Sequence, residues 1–145
     1  MARVVATGTF DILHPGHVYY LEQSRLLGDE LHVIVARDEN VRHKPRPVIP
    51  EEQRLAMVAA LKTVDAVHLG DREDMFRPIA AIDPDIITLG FNQHFSEERL
   101  EQELAARGLR ARVVRIGPCP DGELCSSRRI MERIVRTRCP DQGGR

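Results

Sequence analysis

Five short runs rich in β-branched residues recur along this chain, and stretches with helical spacing separate them. That alternation constrains the fold more than any other feature. Residues 3–7 (RVVAT), 31–36 (LHVIVA), 65–69 (DAVHL), 85–89 (DIITL) and 111–116 (ARVVRI) predict strands. Runs that are nearly apolar throughout, rather than alternating, suit a parallel sheet buried on both faces. Helical patterns cover about 15–27, 51–62, 73–81, 96–107 and 127–138. Strand and helix in this order predict a three-layer α/β fold: a five-stranded parallel sheet, right-handed crossovers, and helices on both faces. Pro15, Glu51-Glu52 and Glu97-Glu98 fall where helices start, and Gly28 and Gly108 where they stop.

A length of 145 residues fits one such domain, expected over 1–138, with a short tail at 139–145. A formal net charge of -1 excludes the basic balance of a general nucleic-acid binder. No apolar run approaches the roughly 18 residues of a membrane span, and the first residues lack the apolar core of a signal peptide. The cytoplasm is the expected compartment. Cys119, Cys125 and Cys139 are odd in number and lack C-x-x-C spacing, which argues against a disulfide framework and a zinc knuckle.

In sheets of this kind ligands bind at the carboxyl ends of the strands. Four segments carrying polar chemistry lie there: 8–17, 37–50, 90–94 and 117–127. The first reads G-T-F-D-I-L-H-P-G-H. Pro15 suits the first helical position, which makes His14 the N-cap and sets His17 on the same face. Two imidazoles beside unpaired amides at the positive end of a helix describe a phosphate site. Gly16 is expected to leave room for a ligand against the backbone. Two capping or core histidines, or a metal pair without an evident third ligand, are the competing readings of these residues. Neither G-x-G-x-x-G nor a Gly-Lys-Ser/Thr phosphate loop is present.

G-T-F-D with H-P-G-H resembles the signature of the H-x-G-H nucleotidylyltransferase superfamily. That resemblance implies a Rossmann-like three-layer sandwich and histidines that contact the phosphates of a nucleoside triphosphate. Residues 35–65 look like its cytidylyltransferase-type branch, whose lysine and arginine at the positions of Lys44 and Arg54 reach the reacting phosphates. Lys44 stands out, since only it and Lys62 among 21 basic residues are lysine. L-C-S-S-R-R-I-M-E-R-I (124–134) resembles the branch's serine segment, in which hydroxyls and helix-start amides hold the β- and γ-phosphates. Ser126 and Ser127 match, and Arg128 and Arg129 add charge. L-G-F-N-Q-H-F (89–95) falls where the nucleotide is recognised, with Asn92 where Asp is common.

Within the superfamily the similarity is greatest to the archaeal-type FAD synthases, which are FMN adenylyltransferases. It rests on T-F-D-I-L-H-P-G-H, on V-A-R-D-E followed by P-V-I-P-E-E-Q-R, and on Cys119 and Cys139. It implies His14, His17, Lys44 and Arg54 as catalytic residues, and Asp11, Lys44 and Arg54 as acceptor-binding residues. Gly8, Thr9, Phe10, His14, Pro15, Gly16, His17, Asn92, Ser126, Ser127 and Arg128 would bind the nucleotide. The implied substrates are ATP and FMN, with Mg²⁺ carried by the triphosphate and no protein metal site. A homodimer is the implied assembly. A cytidylyltransferase acting on glycerol 3-phosphate or another small alcohol phosphate, and a non-catalytic nucleotide-sensing module, are the alternatives.

Overall fold

A computed structural model describes every residue except His43, Asp121 and 140–145. The outer part of the expected tail therefore lies outside the described residues. Strands β1 (Arg3–Gly8), β2 (Glu30–Val35), β3 (Ala66–Leu69), β4 (Ile86–Leu89) and β5 (Arg112–Arg115) form one sheet. All the pairings are parallel, in the order β3-β2-β1-β4-β5. Helices α1 (Pro15–Arg25), α2 (Glu51–Ala59), α3 (Phe76–Ile82), α4 (Glu97–Ala106) and α5 (Ser127–Arg138) follow the strands in turn. The architecture is the Rossmann-like α/β fold that the alternation predicts.

Period-two alternation divides the core between the two faces of the sheet. Val5, Ile34, Ile87, Leu89 and Val113 meet Phe76, Ile79 and Ile82 of α3 and Leu100 and Leu104 of α4. Val4, Ala6, Leu31, Val33 and Val35 face the other way, onto Leu21 of α1 and Val58 of α2. Val4, Val5 and Ala6 are wholly buried, so β1 is the spine of both cores. Each such aliphatic side chain contributes about 1.5–3 kcal/mol through its withdrawal from water.

Two helix boundaries differ by three residues from the sequence expectation, each for a local reason. Helix α3 starts at Phe76, not near residue 73, because carboxylates compete for the backbone. Asp71 accepts from the amides of Glu73 and Asp74, and Asp74 accepts from that of Phe76. Helix α2 stops at Ala59, short of Lys62, where the amides of Ala60 and Leu61 bond three residues back and tighten the last turn. Among the described residues no helix is long and apolar enough to cross a membrane.

The chain runs outward from β1 through β2 to β3, then crosses to β4 and β5. The carboxyl ends of β1 and β4 therefore flank the switch point, where such sheets open a crevice. One side chain wedges it. The β1–β2 ladder runs to Gly8–Val35, but the β1–β4 ladder stops at Ala6–Thr88. Beyond it the Tyr20 hydroxyl accepts from the Thr7 amide (3.1 Å) and donates toward the carbonyls of Thr7 (3.1 Å) and Thr88 (2.9 Å). Ser24 and Thr88 hydroxyls bond beneath it at 2.8 Å. Tyr20→Phe is expected to destabilise the protein by about 1–3 kcal/mol by leaving the Thr7 amide unpaired. Urea unfolding measures this; an unchanged midpoint would mean that the strands close up to replace the lost bonds.

Candidate active site

The turn from β1 into α1 is strained and heavily braced. Phe10 and Ile12 adopt positive φ angles of 57° and 50°, a region that costs a bulky or β-branched residue on the order of 1–3 kcal/mol. Phe10 is nonetheless 3% exposed, its ring folded back over Gly8. A Cβ at Gly8 would lie 2.9 Å from that ring, so a larger residue there would have to displace the buried Phe10 side chain. Four bonds hold the turn. The Thr9 carbonyl accepts from Arg54 Nη1 (2.6 Å), and the Asp11 carboxylate accepts the amides of Val48 and Ile49 (both 2.9 Å). The Ser127 hydroxyl donates to the Asp11 carbonyl (2.5 Å).

His14 is the N-cap of α1: its Nδ1 accepts the Gly16 amide at 3.0 Å. A neutral His14 therefore carries its proton on Nε2. His17 stacks on it with ring centroids 3.7 Å apart, and Phe10 lies against His17 at 5.3 Å. His17 Nδ1 is buried with no hydrogen-bond partner among the described residues. Burial lowers both imidazole pKa values. That of His17 falls to about 3, through burial first and then the neighbouring His14 and Lys44. At neutral pH the pair is uncharged. It offers directed N–H donors, and the positive character of the place comes from helix-start amides and Lys44.

Helix α5 brings a second N-terminus to the same spot. Ser126 caps it by accepting the Arg129 amide at 3.1 Å. Ser127 ties it to the β1 turn, and the Cys125 carbonyl packs onto Gly16. A Cβ at Gly16 would lie 2.6 Å from that carbonyl and 2.8 Å from the His14 ring. The space expected to receive a ligand above Gly16 is thus filled by the protein, and the glycine lets the two helix starts meet. Arg128 lies outside this contact, exposed and paired with Glu132 (3.2 Å). Pro15 occupies the first turn of α1 and is exposed.

The other predicted residues divide into two groups. Lys44 is exposed, and its charge is felt at His17. Asn92 is exposed on the segment after β4. Arg54 and Asp11 turn inward. The Arg54 side chain is wholly buried, donating to the carbonyls of Thr9, Ala36 and Ile49 and to Asp38 Oδ1 (2.6 Å). Both residues fasten the segment that carries Lys44 to the β1 turn. Cys125 Sγ is 3.7 Å from Cys119 Sγ, while Cys139 caps the far end of α5 and is exposed. Sequence reasoning passed over Tyr20 and Arg115, which shape the crevice and the segment after β4. A charged residue closing the R-V-V-R strand was the available signal for Arg115.

This electrostatic arrangement has a measurable sign. Unfolded histidine binds a proton near pH 6.5, whereas folded His17 does not until about pH 3. Below pH 6.5 the unfolded chain binds more protons, so stability present above that pH is lost as the pH falls toward 3. The contribution from His17 amounts to up to about 2 kcal/mol at pH 5. His17→Asn is expected to flatten the fall in stability between pH 7 and pH 5, read by denaturant melts. Equal slopes in the variant and the parent would contradict the neutral, buried imidazole.

Comparison with known proteins agrees with this geometry. The chain is 67% identical over 140 residues to the FAD synthase of Methanosphaerula palustris, covering 97% of this chain and 92% of that one. It is 71% identical over 140 residues to the FAD synthase of Methanoculleus marisnigri, covering 97% and 93%. A crystal structure titled lipopolysaccharide core biosynthesis protein from Thermoplasma volcanium superposes with a TM-score of 0.79 at 46% identity, covering 82% of this chain and 98% of that one. The Cytidylyltransferase-like family matches residues 5–133, and with these likenesses the chain belongs to that family.

Proposed function

We infer that this protein is an FMN adenylyltransferase, an FAD synthase that moves AMP from ATP to the phosphate of FMN and releases pyrophosphate. The observation that carries the phosphate chemistry is the meeting of two helix N-termini, α1 and α5, around the stacked His14 and His17 at the end of β1. FMN as acceptor follows from relatives named FAD synthase, 60–71% identical over nearly the whole chain.

The chemistry is an in-line displacement. A phosphate oxygen of FMN forms a new bond to the α-phosphorus of ATP, and the bond from that phosphorus to the bridging oxygen breaks. Pyrophosphate leaves with the bonding pair. The acceptor is already an anion, so no proton has to be removed from it and no side-chain nucleophile is required. What remains is alignment and neutralisation of charge on the phosphates.

His14, through Nε2–H, and His17, nearer the α-phosphate, donate to the triphosphate at the positive end of the α1 dipole. Gly8, Thr9, Phe10, Pro15 and Gly16 shape the turn against which the nucleotide lies. Lys44 bridges the acceptor and α-phosphates. The α5 amides, with Ser126, Ser127 and Arg128, take the pyrophosphate end, and the segment bearing Asn92 takes the base. Their bonding supports positioning roles for Asp11 and Arg54, which hold the segment of Lys44. Approach of a polyanion favours protonation of His17, so ATP binding draws a proton into the site.

Among the described residues no group of three or more His, Cys, Asp or Glu is placed to hold a metal ion. Mg²⁺ carried by the nucleotide would be held by phosphate oxygens and waters, and would neutralise charge on the phosphates. The cytoplasm as compartment and a homodimer as assembly complete the proposal.

Incubation with FMN or glycerol 3-phosphate, each with ATP or CTP, tests the reading. Pyrophosphate and FAD are expected from FMN with ATP. Release only with glycerol 3-phosphate and CTP would assign a cytidylyltransferase, and ATP binding without release for any acceptor would assign a sensing module. His17→Ala is expected to lower kcat on the order of 10²-fold or more, the effect of losing a transition-state donor. Turnover at the parent rate would remove His17 from the mechanism.

A further inference from the structure

Strand β5 closes on Arg115, whose guanidinium leaves the sheet and turns onto the segment between β4 and α4. Nη1 donates to the carbonyls of Gly90 (2.8 Å) and Gln93 (3.0 Å). Nη2 reaches the Phe95 carbonyl and Glu97, and Nε donates to Glu97 Oε1 at 2.9 Å. Three carbonyls of one short loop and the first residue of α4 thus share a single planar fork. The Gln93 side chain closes the same turn by accepting the Gly90 amide at 2.6 Å. An ammonium could not serve these acceptors at once, because it lacks the fixed spread of five donors.

The consequence is what the loop shows to solvent. With its carbonyls drawn inward toward Arg115, Phe91 and Phe95 stand 55% and 40% exposed, and Asn92 is exposed between them. The loop leaves β4, which flanks the switch point opposite the His14–His17 turn. An exposed aromatic face beside an amide is the chemistry that receives a planar heteroaromatic base, by stacking and by paired donor and acceptor.

We propose that Arg115 is a positioning residue for nucleotide recognition: its guanidinium holds residues 90–97 so that Phe91 and Asn92 receive the base of the nucleoside triphosphate. This inference rests on the nucleotidyl-transfer reading and names the part of the site that reads the base. The phosphates bind elsewhere, on the α1 and α5 starts, so the two halves of the ligand separate experimentally.

The test compares binding of ATP with binding of inorganic tripolyphosphate, which has phosphates but no base, by titration calorimetry. Arg115→Lys keeps the charge and loses the fork. It is expected to weaken ATP binding about tenfold or more while leaving tripolyphosphate affinity within about twofold of the parent. Glu97→Gln, which leaves Arg115 and its carbonyl bonds in place, is expected to shift ATP affinity in the same direction by less, and it serves if the lysine variant does not fold. Equal loss for both ligands would reduce Arg115 to a structural residue, and no loss for either would overturn the proposal. A parent protein that binds ATP but makes no FAD would sink the FAD synthase reading and leave this one standing.

Discussion

The guanidinium of Arg54 is withdrawn from water to meet three backbone carbonyls and the Asp38 carboxylate, and the rim at the carboxyl ends of the strands is assembled around those bonds. Its acceptors are the Thr9 carbonyl past β1, the Ala36 carbonyl past β2, and the Ile49 carbonyl and Asp38 in the segment that carries Lys44. A charge so deeply buried is tolerated only when its donors are met, and deleting it would leave several acceptors unpaired at a cost of about 3–5 kcal/mol. The Asp11 clamp on Val48 and Ile49 runs in parallel. Together they force Phe10 and Ile12 into positive φ and keep them there, which explains how a strained turn survives. That turn delivers the chain to Pro15 in the geometry that makes His14 a cap.

From the cap follows the electrostatic character of the site. Stacking His17 on His14 and burying it suppresses both charges. A permanently cationic pair would repel itself and bind anions indiscriminately. On the proposed reading, a neutral pair at a helix start takes up a proton from solvent only when a polyanion binds beside it. The Ser127 bond and the Cys125–Gly16 contact bring α5 into the same cradle. The Tyr20 wedge keeps the crevice between β1 and β4 from zipping shut.

Sheet, helix order and the rim location of all four segments were legible from periodicity, because β-branched runs and caps act locally. The His14 cap and the α5 start at Ser127 were legible for the same reason. Arg54 and Asp11 show where reading stops. Their residue types suit phosphate chemistry, but which way each turns depends on the count of unpaired carbonyls and amides in loops that pattern does not describe. At Gly16 the atom that packs onto the backbone comes from a residue 109 positions away in the chain, a contact that local pattern does not describe. Arg115 was hidden inside a strand signal.

The central claim is that the phosphates are met by neutral imidazoles that acquire charge only with the ligand. Long-range ¹H–¹⁵N NMR of the histidine rings, titrated with and without ATP, tests it directly. Without ATP, His14 and His17 are expected to be neutral at pH 7, His14 with its proton on Nε2 and His17 titrating near pH 3. With ATP bound, the His17 pKa should rise markedly. A His17 that is already cationic at pH 7 in the ligand-free protein, or one whose pKa ATP leaves unchanged, would contradict the account.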